Sequence, residues 1–292
     1  MATSKGTLFD PELVKDLFNK VKGKSTIAVL SEQQPIPFNG IKEFAFTFDN
    51  EIDIVAENGA KSEGGISLAP VNIVPIKFEY GARVSSEFMD ASEEEKIDIL
   101  TAFNDGFARK VAKGFDLAAF HGINPRTGTA STVVGNNNFD SKVTQTVTYA
   151  AATPDENLED AIALVNGSDG DVTGIALSHI FATAMANVKA NGISQYPQFK
   201  FGGNPGNFVG QPLDVNKTVQ GTSLDRAIVG DFANAFKWGY SKEIPLKVIE
   251  YGDPDNSGND LQGHNQVYLR AEVYLGWGIL APEYFSRIVA TQ

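Results

Sequence analysis

The sequence predicts an α+β protein, and three observations carry that reading. Apolar residues alternate with polar ones from about Ile41 to Val84, the period of strands. One apolar face then recurs every three or four residues from about Glu93 to Phe120, the period of a helix. Beyond residue 150, shorter helical and strand-like stretches alternate with loops rich in glycine and proline.

Composition narrows the class. The chain has 292 residues, no cysteine and a formal net charge of −12. That length buries one large core or two modest ones. Without cysteine there are no disulfides, thiolate zinc sites or cysteine nucleophiles. No apolar run has the length of a membrane span, and Met1 to Gly6 lacks the apolar centre of a signal peptide. The chain is therefore expected to be made in a cytoplasm. No basic stripe is present, which disfavours a dedicated nucleic-acid binder; an acidic surface that encloses DNA without gripping it is compatible.

Residues 1–40 read as an arm. Pro11 follows Asp10 at a helix start. Leu13, Val14, Leu17, Phe18 and Val21 keep helical spacing to Gly23. Ser31 to Pro37 reads as an extended strap, because a proline biases its predecessor away from helix.

The β-ribbon follows over Ile41–Val84. Phe44, Phe46 and Phe48 alternate, as do Ile66 and Leu68, then Ile76, Phe78 and Tyr80. The tip from Glu57 to Gly65 is charged and glycine-rich. A two-stranded ribbon is marginal alone in water and needs support; another copy of the chain can supply it. Pro70 and Pro75 cannot donate ladder hydrogen bonds, so that strand is expected at an edge or interrupted.

The long helix opens at Ser92-Glu93-Glu94-Glu95, a capping box. Ile97, Leu100, Phe103, Phe107, Val111, Phe115 and Ala119 form its apolar face, and Gly122 is its C-cap. At about 1.5 Å per residue it is a rod of roughly 40 Å. A second helix starts at Thr153-Pro154 and runs to about Val165. A third is expected from Ser178 to Ala190, with Asn191-Gly192 as its C-cap. Ala227 to Phe232 reads as a buried strand turning at glycine, and Val267 to Leu275 as the last strong strand.

Catalytic signals are lacking. His121, His179 and His264 lie far apart in sequence and read as ordinary core or surface histidines. No nucleophile elbow, phosphate loop or dinucleotide fingerprint is present. Asp253 to Asp260 imitates the start of a calcium loop, with oxygen-bearing residues at alternate positions and then glycine. Its twelfth position is His264 instead of glutamate, so a solvated turn is the expectation. Nothing beyond the general supply of Asp and Glu supports an enzyme.

The ordered segments resemble the major capsid protein of tailed bacteriophages. Ile54 to Lys61 is similar to the tip of that family's extended loop. Val71 to Asp90 is similar to the strand that leads into its spine helix, and Phe115 to Gly122 to the end of that helix. Leu177-Ser178-His179 and Lys189 to Gly192 resemble the first helix region of its axial domain. Phe208 to Leu213 and Val229 to Phe232 resemble later axial strands. Arg270-Ala271-Glu272, Gly276 and Pro282 resemble the return strand of its peripheral domain.

The resemblance implies the Hong Kong phage capsid fold. Its parts here would be an N-terminal arm (1–40), an extended β-hairpin loop (41–84), a peripheral domain with the spine helix (85–150 and 250–292) and an axial domain (151–249). It implies hexamers and pentamers closing into an icosahedral shell around double-stranded DNA, located in the virion and made in a bacterial cytoplasm. Partners would be other copies, a portal protein, where present a decoration protein, and a separate scaffold protein or none, because this chain has no room for a scaffolding segment of its own. No cofactor, metal or membrane is implied. The candidate intersubunit residues are Phe44, Phe46, Phe48, Glu57, Lys61 and Glu63. One branch of the family forms a lysine–asparagine cross-link from the loop tip, and Lys61 stands at about that place; most members do not cross-link. The alternative role on the same fold is an encapsulin-type shell holding cargo enzymes.

Overall fold

The computed structural model describes residues 25–48, 52–87, 93–221, 223–242 and 246–291. The helix expected over 11–22, the cap expected at Ser92 and residues 88–90 of the loop-to-helix motif lie outside these.

In chain order, a short helix α1 (Thr26–Leu30) precedes strands β1 (Ile41–Phe48), β2 (Ile66–Ile73) and β3 (Ile76–Ser85). The long spine helix α2 (Glu93–His121) and a single turn α3 (Phe139–Lys142) lead to β4 (Thr146–Thr148). Next come α4 (Pro154–Asn166), β5 (Gly174–Leu177), α5 (His179–Asn187) and the short strands β6 (Lys189–Ala190), β7 (Ile193–Ser194) and β8 (Asn207–Phe208). The strands β9 (Gln211–Val215), β10 (Asp225–Gly230), β11 (Phe236–Lys242), β12 (Lys247–Ile249), β13 (Gln266–Ile279) and β14 (Phe285–Val289) complete the chain. Among the described residues no helix is long and apolar enough to cross a membrane.

β1 and β2 form an isolated antiparallel ribbon, from Ile41 opposite Ile73 to Phe48 opposite Ile66. Pro70 is tolerated because each strand of a two-stranded ribbon has a free edge. The third apolar run does not belong to the ribbon as the sequence grouping over Ile41–Val84 had it. It forms β3, which pairs along its whole length with β13, from Ile76 opposite Leu275 to Ser85 opposite Gln266. Val74 and Pro75 separate it from β2, and the proline supplies no ladder donor. β13 is the centre of a four-stranded sheet, with β3 on one side and β11 and β12 on the other.

The spine helix packs its expected face on that sheet. Leu100, Phe107, Val111, Phe115 and Ala119 are buried, and Phe103 packs against the same core. The Phe115 ring lies 5.1 Å from that of Trp238 and 5.6 Å from that of Trp277. Gly122 ends the helix at φ +65, donating its N–H to Ala118. That left-handed turn suits glycine.

A second, mixed sheet runs β4-β14-β10-β5-β9-β8. It is shared between two cores by the two-residue period of its strands. Ile228 and Phe285 face the spine-helix core, while Ala227, Val229 and Ile288 face α4 and α5. The pairing crosses the expected boundaries at 150 and 249: β4 and β14 join the second sheet, and β11 and β12 join the first.

The third helix ends at Asn187, three residues short of Ala190. Its start is as expected, with Ser178 Oγ accepting from Phe181 N at 3.2 Å. Asn191 (φ +52) and Gly192 (φ +80) are not its cap. They turn the β6–β7 hairpin, because two successive left-handed residues make the turn whose twist matches paired strands.

The strap after α1 lies against β11. Gln34 N donates to Trp238 O at 2.8 Å, and Ile36 N to Tyr240 O at 3.4 Å. The approach depends on Gly239, where any Cβ would collide with the Gln34 carbonyl oxygen. Gly239→Ala is therefore expected to lift the strap, costing about 2 kcal/mol and roughly 5 °C of unfolding temperature. Thermal unfolding with limited proteolysis near Gln33 measures both effects.

Candidate assembly surface

The ribbon is anchored at its base and bare at its tip. Ile73 is buried against Gly276 and Gly278 of β13; a Cβ on Gly278 would meet Ile73 Cγ1 at 2.8 Å. Glu43 forms an ion pair with Lys237 of β11. Beyond the strands, residues 52–65 have no helix or strand, and Asn58 turns the chain at φ +66.

Glu57, Lys61 and Glu63 are exposed on this tip as expected. Phe44 is half exposed on β1. Phe46 and Phe48 belong to the same strand, and their side chains lie outside the described residues. The contact candidates read from the sequence left out Ile52 and Ile54, which are 95% and 96% exposed. Their alternation about Asp53 was the available signal. Burying one such side chain is worth about 1.5–3 kcal/mol.

The 253–260 loop takes a cation, but an internal one. Arg83 Nη2 lies 2.7 Å from Asp253 Oδ1, 2.5 Å from Asp255 Oδ1, 2.6 Å from Ser257 Oγ and 2.9 Å from Asn259 O. These are the alternate positions from which a calcium loop draws oxygen ligands. The guanidinium beside Asp255 holds that carboxyl well below its ordinary range. The expected solvated turn is thus a turn clamped to β3.

Two buried polar clusters flank the C-terminal end of the spine helix. In the first, Asp116 is fully buried and accepts from Ser25 Oγ, from Thr26 N at 2.9 Å, from Ile27 N at 3.4 Å and from Thr218 Oγ1 at 2.7 Å. Burial pushes its pKa up to about 6 against those four donors. Asp116 thereby holds the first turn of α1 from another element.

In the second, His121 Nδ1 is 3.0 Å from Asp140 Oδ2, and Nε2 is 3.0 Å from the Thr218 carbonyl. Arg287 Nη2 reaches Asp140 Oδ1 at 2.9 Å and Asp225 Oδ1 at 2.9 Å. His121, Asp140 and Asp225 present atoms within 4.8 Å of one another, a spacing a divalent ion uses. Arg287 already spans both carboxylates and supplies the positive charge, so the set does not fit a metal. His121 is an ordinary buried histidine in that sense, yet its partners, separated by up to about a hundred residues, were invisible in the sequence.

A long helix across one sheet, a mixed sheet beyond its end and a projecting ribbon define the Hong Kong phage capsid fold, and solved structures agree. One from Mycobacterium phage Ogopogo is 31% identical with a TM-score of 0.77, covering 92% of this chain and 92% of that one. One from Gordonia phage Cozz is 25% identical with a TM-score of 0.75, covering 92% of this chain and 87% of that one. A structure described as the capsid of an empty GTA particle, computed with C5 symmetry, shares the fold at 14% identity and a TM-score of 0.66, covering 92% and 90%. No match was found among the curated proteins. The chain belongs to the phage capsid family, whose model matches residues 5–290. It is a structural protein of a phage shell.

Proposed function

We propose that the chain is a major capsid protein whose copies self-assemble as pentamers and hexamers into an icosahedral shell enclosing phage double-stranded DNA. The observation that carries this reading is the ribbon: fixed at Ile73 and Glu43, it leaves Phe44, Ile52 and Ile54 exposed among the described residues. In this reading the surface of a neighbouring copy covers the tip, and Glu57, Lys61 and Glu63 set its register. Many moderate contacts repeated by symmetry then close the shell.

The functional units follow the two sheets. The spine helix with β3, β11, β12 and β13 forms the peripheral unit. The six-stranded sheet with α4 and α5 forms the axial unit, and residues 1–40 form an arm. A separate scaffold protein, a portal protein and, where present, a decoration protein are the expected partners. The DNA is enclosed without sequence-specific contacts, in keeping with the net charge of −12.

Negative-stain electron microscopy of the expressed chain, alone and with a co-expressed scaffold protein, tests this. Closed angular shells or rings of five or six are expected. Only small uniform particles under both conditions would overturn the reading.

A further inference from the structure

We propose that His121, Asp140, Asp225 and Arg287 form a proton-held joint between the spine helix and the six-stranded sheet, closed by one shared proton and loosened when rising pH removes it. The four side chains come from four elements. His121 ends the spine helix, Asp140 lies on α3, and Asp225 and Arg287 come from the paired strands β10 and β14. The cluster therefore spans the seam where the sheet meets the helix.

The geometry calls for the proton. Thr218 O can only accept, so His121 Nε2 carries a hydrogen. An ionised Asp140 can also only accept, so Nδ1 needs a second hydrogen, or the carboxyl must carry one. Charge gives the same count. Two carboxylates against one guanidinium leave a net charge of −1 in a buried site, and one proton neutralises it. If that proton leaves, the Nδ1 lone pair faces a carboxylate oxygen at 3.0 Å, a repulsive contact in a region of low dielectric.

The pKa directions agree. Burial pushes His121 down, but Asp140, Asp225 and the Thr218 carbonyl leave it above its ordinary 6.5. Burial and the adjoining Asp140 carboxylate push Asp225 up to about 7, despite Arg287. Burial also raises Asp140, but His121, Asp225 and Arg287 outweigh it and hold that group below 3.8. A raised His121 contributes stability fully below pH 6.5 that is lost as pH climbs through its folded value. A raised Asp225 contributes fully below 3.8, with the loss falling near pH 7. On either group the shared proton is lost as pH rises, and the joint weakens with it. The lowered Asp140 acts oppositely, and its share is lost only in acid.

The surrounding charges do not change this balance. Lys142, on α3, is affected by burial alone. Arg226 is turned toward the Tyr149 ring, 5.8 Å away, and toward backbone carbonyls. Lys217 lies beside Thr218 at the exposed start of its turn. Asp116 touches the other side of Thr218 through its hydroxyl, and the His121 signal separates it from the cluster. His121 itself is almost wholly buried, with 1% of its side chain exposed, which leaves no access for a substrate. A holding role is what the site permits.

The joint stands on the geometry of a single chain and does not depend on the shell reading. The test is a histidine NMR titration of the full-length unassembled protein, paired with thermal unfolding at several pH values. The chain has only three histidines, and His121→Gln identifies the resonance. His121 is expected to remain an imidazolium above pH 6.5. The unfolding temperature of the native chain is expected to fall by about 2 °C per pH unit across its titration, with a shallower fall in His121→Gln and Asp225→Asn. Titration of His121 at or below 6.5 would overturn the proposal, as would unchanged slopes in both variants. If neither variant folds, the native-chain titration alone decides.

Discussion

Chains carrying Phe44→Asp, Ile52→Asp and Ile54→Asp together are expected to fold normally and fail to form shells. All three side chains are at least half exposed, so a carboxylate there adds little strain to the isolated chain. In a closed shell the same positions would be covered. Each change would forfeit about 1.5–3 kcal/mol of apolar burial and add a charge to desolvate. The loss recurs at every copy, so a modest penalty per contact becomes an all-or-none failure of closure. Circular dichroism should show an unfolding temperature within about 2 °C of the native chain, consistent with exposed substitutions. Size-exclusion chromatography should show only subunits or small rings. Shells at native yield would mean that the loop tip makes no contact worth the name.

Asp116→Ala is expected to give the largest loss of folding stability from a single change. The aspartate is wholly buried and receives donors from Ser25, Thr26, Ile27 and Thr218. Removing it strands two hydroxyls and the first-turn N–H groups of the buried helix α1 in an apolar region. At about 1–3 kcal/mol for each unsatisfied group, with some relaxation, the total is about 3–5 kcal/mol, or roughly 10 °C. The strap should become sensitive to protease, because α1 precedes it and loses its anchor. Asp160→Ala on the exposed face of α4 is the control, expected to shift stability by no more than about 0.5 kcal/mol. Equal shifts in the two variants would show that the Asp116 network holds nothing.

The legible parts of the fold were those written in short-range pattern. The spine helix announces itself through Leu100, Phe107, Val111, Phe115 and Ala119, and Gly122 stops it because one residue there needs a left-handed turn. Pro154 likewise marks the start of α4. Pairing over long distances was not legible. Nothing near Ile76–Ser85 says that its partner lies at 266–279 rather than in the adjacent ribbon, because both would satisfy the same alternation. Asn191-Gly192 fits a helix cap and a hairpin turn equally well, and only the two short strands beside it decide. The loop tip was found through its charges, but the bare isoleucines beside them were passed over. Asp116 and His121 sit on a helix whose pattern explains their neighbours, while their own roles depend on residues up to about a hundred positions away.

The clamp between Arg83 and the 253–260 loop has a consequence for supply. A loop that borrowed a metal ion would be filled according to the concentration outside it, and each copy would be full or empty by mass action. A guanidinium carried on β3 arrives with the polypeptide, one per loop, at an effective concentration that dilution does not change. If copies are drawn from a common pool, none reaches its neighbours with this loop uncharged, and the uniformity of the parts is fixed at translation.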